Sequence, residues 1–377
     1  MLDFFKNIEE QEIKLKKGRA VILIRDAAFG GRSVNTIAQK LKYILNHYSK
    51  IEIEICIKSR TINDMATITV LEYLIYYTIK KNEFIVKVKF RPNQIDYTSN
   101  FLENSLIGRF IQSTCSNKKA SEQFIKEFES QKTIIGERSF RKLIKNDENT
   151  RKALNAVSSD ISWFLKDKID SADFREDSCE AITELCANVL DHTSSDCIVS
   201  MECGRAINKN KDARCRILSV VVSNVSQNLI YDRLAEYYVQ GKVKFNQVDE
   251  AYKYHKDYFL DGQYNKERFY MVSVFQKGVS TRENQYNSGG TGLFKLIDSI
   301  LGRTVGDNCY VLSGNNILFL REDKIKPVNG YIGFNSEHNY ISRVPDSDIF
   351  TNSGMYYNGT LIHLMLVLGE EEEHYGD

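Results

Sequence analysis

The feature that most constrains the fold of this chain is an apolar stripe at helical spacing in residues 177–193. The stripe consists of Ile182, Leu185, Cys186, Val189 and Leu190. This spacing predicts a helix that is buried along one face. Glu184 and Asn188 are four residues apart, so they lie one above the other on a neighbouring face. Alone, such a pair is typical of a solvated helix surface. It is also suited to chemistry, because a carboxylate can take a proton from water and an amide oxygen is a hard ligand for Mg²⁺.

A second feature is a dense run of glycines about a hundred residues after Glu184. Gly289, Gly290, Thr291 and Gly292 are followed at once by an apolar helical pattern. Such a loop can present backbone N–H groups to an anion at the N-terminus of a helix. A glycine cluster before a helix is equally typical of an ordinary turn.

Strand patterns surround these two features. Residues 197–203 and 216–224 read as strands, residues 308–320 read as a hairpin-like run, and residues 359–368 read as a final strand. Between the second strand and the glycines lies a long polar and aromatic segment, residues 229–288. Helical patterns occur within that segment near residues 231–238 and 249–258.

In this order the motifs resemble the GHKL ATPases. That superfamily includes sensor histidine kinases, gyrase-type topoisomerases, heat-shock chaperone ATPases and mismatch-repair ATPases. The resemblance covers roughly residues 150–369. It implies an α/β (α+β) chain in which residues 151–377 form a two-layer α/β sandwich of the Bergerat (GHKL) type. Helices would cover one face of a mixed sheet, and the domain would bind ATP and Mg²⁺.

The resemblance also assigns roles to residues. It implies that Asn188 holds Mg²⁺ against the phosphates, that Glu184 orients and deprotonates the attacking water, and that the glycine run binds phosphate. Asn224 and Thr360 would face the base. The family has an Asp followed by Gly-x-Gly at the position of Asn224, whereas this chain has Asn224, Ser226 and Asn228. An Asn oxygen can still accept a hydrogen bond from an amine.

Residues 229–288 stand where the family places a lid over the phosphates, and we call them the lid segment. We expect the lid segment to be mobile without ligand, because it is long and polar. Lys277 and Arg282 come shortly before the glycines. They would either contact phosphate or lie on a solvated lid surface.

The N-terminal residues 1–92 predict a small, separate α/β domain with some parallel pairing. Strands are expected at residues 20–25, 51–57 and 84–90, and helices at residues 34–48 and 64–81. Asn63 is a candidate cap for the second helix. The order loosely resembles the STAS-type modules that accompany some GHKL kinases. Residues 93–150 read as a helical connector, with helical patterns near residues 121–131 and 139–145.

Composition limits the classes of partner. The chain has 51 Lys and Arg against 50 Asp and Glu, a net charge of +1. This small net charge does not indicate binding to nucleic acid, and it does not attract the chain to an anionic membrane. Eight cysteines without a C-x-x-C pair predict reduced thiols. No apolar run reaches the length of a membrane helix. We therefore expect a cytoplasmic location and a protein partner or regulatory target, and a homodimer is one assembly that this interpretation allows.

Three functions remain open. The first is an ATPase (a hydrolase) whose nucleotide cycle drives a conformational or partner-binding switch. The second is a protein kinase of the partner-switching or sensor type, although no His-Glu or His-Asp pair precedes the domain and His47 is followed by Tyr48. The third is a degenerate nucleotide-binding regulatory module, which the replaced residues around Asn224 favour.

Overall fold

The structure is a computed structural model of mixed α/β type. It describes residues 3–81, 84–90, 105–108, 118–130, 134–135, 138–192, 195–208, 213–242, 245–260, 263–279, 292–304 and 308–370. Across these ranges, no helix has the length and apolar character needed to cross a lipid bilayer.

Two consecutive strand–helix units build the N-terminal part of the chain. Its elements are β1 (Leu15–Lys16), β2 (Arg19–Ile24), β3 (Ala28–Phe29), α1 (Gly31–His47), β4 (Glu52–Ile57), β5 (Thr61–Ile62), α2 (Met65–Lys81) and β6 (Ile85–Phe90). A four-stranded sheet has the order β1-β2-β4-β6, with β2, β4 and β6 parallel and β1 antiparallel at the edge. Ile53, Ile55 and Ile57 of β4 are buried in alternation. The predicted α/β unit and its parallel pairing are confirmed.

Helix α2 differs from expectation in its cap and in its burial. The Thr67 backbone N–H donates to Asp64 Oδ1 at 2.7 Å, so Asp64 caps the helix rather than Asn63. Nearly every residue of α2 is buried, up to Ile79. A helix that is apolar all round is a core helix, and α2 lies between two sheets.

The described residues of the predicted helical connector include helical residues at 106–108, a further helix and the first strands of the second sheet. Its described elements are α3 (Lys118–Phe128), β7 (Ile134–Ile135) and β8 (Ser139–Ile144). The helix expected near residues 139–145 is therefore wrong. Phe140, Leu143 and Ile144 have helical spacing, but both faces of β8 are covered, and Leu143 packs on the opposite side from the other two. The second sheet begins at residue 134, not after residue 150.

The remaining elements complete that sheet and its helices. They are α4 (Thr150–Leu165), α5 (Ala172–His192), β9 (Cys197–Asn208), β10 (Ala213–Val225), α6 (Asp232–Val239), α7 (Asn246–His255), α8 (Lys266–Ser273), α9 (Gly292–Ile300), β11 (Tyr310–Phe319), α10 (Glu322–Ile325), β12 (Pro327–Val328), β13 (Tyr331–Ile332) and β14 (Phe350–Glu370). Short 3₁₀ helices occupy Asp3–Phe5, Lys256–Tyr258 and Ser347–Ile349.

The second sheet has six strands in the order β11-β14-β10-β9-β8-β7. Every pair is antiparallel, where a mixed sheet was expected. The hairpin-like run predicted at residues 308–320 is a single strand, β11. Its register shifts around Gly314, and it pairs with β14 on both sides of the shift. The final strand is longer than predicted and begins at Phe350.

The second sheet is covered on both faces, which a two-layer sandwich did not anticipate. Helices α4, α5 and α9 pack on one face in a cluster that includes Val220 and Val222. Helices α1 and α2 pack on the other face in a cluster that includes Val221 and Leu361. The layers are therefore sheet, helices, sheet, helices. The consecutive buried residues Val220, Val221 and Val222 of β10 fit this arrangement, since a strand buried on both faces need not alternate.

The described part of the lid segment is packed, although we expected it to be mobile. Helices α6, α7 and α8 join an aromatic cluster with residues 325–350 that includes Phe269 and Tyr340. Buried Arg268 of α8 donates to Asn316 of β11 at 2.9 Å and to Asn352 of β14 at 2.8 Å, which ties the segment to the sheet. The aromatic residues supply a core of their own. Residues 280–288 of the segment lie outside the described residues.

Candidate functional site

Helix α5 positions the predicted catalytic pair. All five residues of its apolar stripe are buried against the sheet and neighbouring helices, so the predicted helix and its buried face are confirmed. Glu184 and Asn188 are half-buried on the adjoining face, one turn apart. The stripe fixes the rotation of α5, and that rotation determines where Glu184 and Asn188 lie.

Helix α9 packs beside α5 and encloses a cavity of about 270 Å³ with it. The cavity is lined by Asp177, Glu180, Ala181, Glu184, Lys295 and Asp298. Lys295 Nζ lies 3.0 Å from Glu180 Oε1. The hydrogen bond that Lys295 donates to Glu180 raises the pKa of Lys295, and the charges of Glu180 and Glu184 act in the same direction. A cation thus neutralises part of an acidic cavity next to the predicted base.

The glycine run enters the site through α9. Gly292 is the first residue of this helix, as the pattern predicted. Lys295 and Asp298 of this helix line the cavity together with Glu184 of α5. The other predicted phosphate-binding residues, Gly289, Gly290, Thr291 and Arg282, lie outside the described residues.

The predicted base-contacting residues lie side by side on β10 and β14. Asn224 is directly opposite Thr360 in the antiparallel register. The Thr360 backbone N–H donates to Asn224 Oδ1 at 3.0 Å, and Asn224 Nδ2 donates to Ser195 Oγ at 2.8 Å. These two bonds fix the orientation of the amide. Asn224 is 0% exposed, so a base would contact its side chain only after neighbouring groups move.

Gly359 explains how the two strands approach so closely here. Its φ is +122°, and a Cβ at this position would lie 2.4 Å from the backbone oxygen of Asn224. Only glycine fits a left-handed conformation with so little space. The Gly359 backbone therefore sets the approach of Thr360 to Asn224.

On the opposite face of the second sheet, hydrogen bonds connect β10 to β14 and to helix α2 of the N-terminal unit. The Tyr357 hydroxyl donates to the backbone oxygen of Asn224 at 3.0 Å and lies 2.6 Å from Ser223 Oγ. The Tyr73 hydroxyl of α2 donates to the backbone oxygen of Ser223 at 3.2 Å. Helix α2 therefore contacts the segment of β10 that carries Asn224.

Lys277 lies on the lid segment near Gly330 and Gln247. Its exposed side chain follows α8 and passes beside the turn at Gly330, while its backbone oxygen accepts from Gln247 Nε2 at 3.2 Å. Among the described residues, it lines neither the α5–α9 cavity nor the groove between α4 and α5. Lys277 is therefore exposed on the surface of the lid segment, and its contact with phosphate stays a prediction.

The donor set fits a magnesium ion better than a soft metal. Carboxylate and amide oxygens are the ligands that Mg²⁺ prefers. Within the described ranges, no group of three or more His, Cys, Asp or Glu residues is arranged to hold a metal ion. Protein ligation would therefore rest on Asn188, with other ligands from phosphate and water. The cavity of about 270 Å³ lies below the usual small-molecule range of roughly 300–1,000 Å³, so it would admit only part of a nucleotide.

Sequence reasoning missed two contributors. Ser195 holds the Asn224 amide, and no motif marks it. Lys295 enters the α5–α9 cavity, and its position three residues after Gly292 on an amphipathic helix was a usable signal.

Comparison with known proteins adds no assignment: no protein-family model matches the chain, and neither a curated protein nor a solved structure matches it.

Proposed function

We propose that the protein binds ATP with Mg²⁺ and hydrolyses it in a cycle that switches a protein partner. The observation that carries this proposal is the meeting of α5 and α9, because it brings Glu184 beside the helix that begins at Gly292. Asn224 and Thr360 support it, since they occupy the sheet face on which α5 packs. The finer architecture belongs to the same proposal: residues from 134 onward would form a GHKL-type domain, and the N-terminal unit would be a STAS-like module.

The residues of the chain would divide the work as follows. Asn188 offers an amide oxygen to Mg²⁺, and Glu184 accepts the proton of the attacking water. The run Gly289, Gly290, Thr291 and Gly292 offers backbone N–H groups to phosphate at the start of α9. Bound Mg-ATP supplies the phosphoanhydride bond that is cleaved.

A partner-binding role has a structural basis in α2. This helix contacts both the N-terminal core and the backbone of β10 next to Asn224. Any shift at Asn224 would therefore reach the N-terminal unit through Tyr73 and Tyr357. This contact is the reason for proposing a switch rather than simple hydrolysis.

A binding module without turnover is the second candidate, and the state of Asn224 favours it. The side chain is fully buried and its amide bonds to Ser195 and Thr360. If neither Ser195 nor Thr360 moves, the base of a bound nucleotide cannot contact the Asn224 side chain. The chain would then act through protein contacts alone.

Replacement of Glu184 separates these functions. Glu184→Ala should keep nucleotide binding and lower turnover by a factor on the order of 10²–10⁴, the usual contribution of a positioned base. Glu176→Ala is the matched control, because Glu176 is an exposed acid on the same helix and does not line the α5–α9 cavity. Equal phosphate release by both variants would exclude Glu184 as the base. Absence of phosphate release from the wild type would favour the binding module.

A further inference from the structure

The single tryptophan of the chain stands on the surface. Trp163 of α4 is 64% exposed. A large exposed aromatic side chain is a frequent anchor of protein interfaces. Nothing in the proposed nucleotide chemistry uses this residue.

Trp163 borders a groove between α4 and α5 with a volume of about 840 Å³. The groove is lined by Ser158, Ser159, Ser162, Trp163, Lys166, Arg175, Glu176, Cys179, Glu180, Thr183, Glu184 and Ala187. Half of these side chains are short, so part of the floor is low beside the indole of Trp163. Helix α4 has 16 residues and α5 has 21, which gives lengths of about 24 and 31 Å.

Charge is distributed unevenly along this groove. Lys166 follows the last residue of α4 and Arg175 lies in the first turn of α5, so both cations are at the end where the two helices are joined. Glu180 and Glu184 lie about 7 and 14 Å further along α5, at 1.5 Å per residue. Glu176 lies next to Arg175, so this end of the groove carries two cations and one carboxylate, whereas the middle carries two carboxylates. The groove is therefore more basic at the joined end and acidic in its middle.

We propose that this groove is the interface of a homodimer with two-fold symmetry. In a two-fold interface each surface meets its own copy in the opposite direction. The basic end of one protomer then meets the acidic middle of its partner, and this pairing forms twice. The Trp163 indole would fill the low floor of the partner's groove. A second copy of the chain therefore supplies the opposite charge for each end of the groove.

The buried area of this surface indicates the class of interface to which the dimer belongs. A strip about 24 Å long and two helix diameters, about 20 Å, wide gives about 500 Å² per protomer. The total of about 1,000 Å² is at the lower end of specific interfaces. We therefore expect dissociation in the micromolar range. This inference goes beyond the proposed nucleotide chemistry, although the groove shares Glu180 and Glu184 with the α5–α9 cavity.

Sedimentation velocity combined with tryptophan emission tests the dimer. The wild type should change from monomer to dimer between about 1 and 200 μM. Because the chain has one tryptophan, its emission should shift to the blue over the same concentrations. Trp163→Ala should remain monomeric throughout. A monomeric wild type at the highest concentration would overturn the proposal and leave the groove to another protein, and a dimeric Trp163→Ala would place the interface elsewhere.

Charge reversal provides a test that misfolding cannot imitate. Lys166→Glu alone and Glu180→Lys alone should each weaken the dimer at least about tenfold, because like charges then face each other. The double variant restores opposite charges across the two-fold axis and should recover dimerisation. Glu180 also pairs with Lys295, but both side chains are more than half exposed, so that loss is minor. Failure of the double variant to recover would contradict the predicted register.

Discussion

Acidification should destabilise the packed lid segment through His255. The ring is fully buried between Tyr264 and Tyr340. Nε2 lies 2.9 Å from the Tyr340 carbonyl oxygen and must donate to it, so Nδ1 is left to accept from the Tyr264 hydroxyl at 2.6 Å. Burial lowers the pKa of His255 from 6.5 to about 4, and backbone hydrogen bonds at Tyr340 and Arg343 oppose this shift only partly. The folded protein therefore holds the neutral ring.

The sign and size of the effect follow from proton linkage. Below pH 6.5 the unfolded chain protonates this histidine, whereas the folded chain does so only near pH 4. The unfolded state binds more protons in this interval, so stability falls as the pH falls through it and the loss is complete below about pH 4. At about pH 5 the loss from His255 is about 2 kcal/mol, at about 1.4 kcal/mol per pKa unit.

Urea unfolding of the wild type and of His255→Gln measures this term. Glutamine stays neutral and can still donate to the Tyr340 carbonyl oxygen. We expect the variant to be less stable than the wild type by about 1–2 kcal/mol near pH 7.5. At about pH 5 the wild type has lost about 2 kcal/mol through His255, so the difference in unfolding free energy should fall to about zero or change sign. Carboxylates and His363, whose pKa is also lowered by burial, affect both proteins alike. A gap that stays constant with pH would refute the neutral, buried state of His255.

Two substitutions test the packing around the site. Gly359→Ala should cost about 3–5 kcal/mol, because its Cβ would overlap the Asn224 backbone. Gly354→Ala, at a φ of +69° with open space around the added Cβ, should cost only about 1–2 kcal/mol. Equal melting temperatures of the two variants would contradict the close approach of the strands. Arg268→Met should lower stability by about 2–4 kcal/mol, since Asn316 and Asn352 lose a buried donor. The control is Lys266→Met on the exposed side of the same helix, which should change stability by less than about 0.5 kcal/mol. Thermal unfolding measures both variants. A similar loss of stability in both would argue against the anchoring role of Arg268.

The sequence predicted elements best where one face is buried. The alternation of Ile53, Ile55 and Ile57 predicted β4 because the other face of that strand carries polar residues. The same reasoning failed at β8, where both faces are covered and the apolar residues Phe140 and Ile144 have helical spacing by coincidence. Periodicity reports burial, and it cannot tell a doubly covered strand from a helix.

The site was predictable only as far as local patterns reach. The stripe on α5 predicted where Glu184 and Asn188 lie, because four-residue spacing fixes their relation within one helix. The contact of Ser195 with Asn224 depends on how a loop packs against a strand, and no local signal encodes it. The choice of Asp64 over Asn63 as the cap of α2 is similar, since both residue types cap helices and only the backbone path decides between them.

The most direct test of the central claim is calorimetric titration of ATP with and without Mg²⁺, on the wild type and on Asn188→Ala. The account predicts that the wild type binds ATP more tightly with Mg²⁺ and that the folded variant, checked by circular dichroism, loses the Mg²⁺-dependent part. Absence of ATP binding by the wild type, or equal affinity for both proteins with Mg²⁺ present, would contradict it.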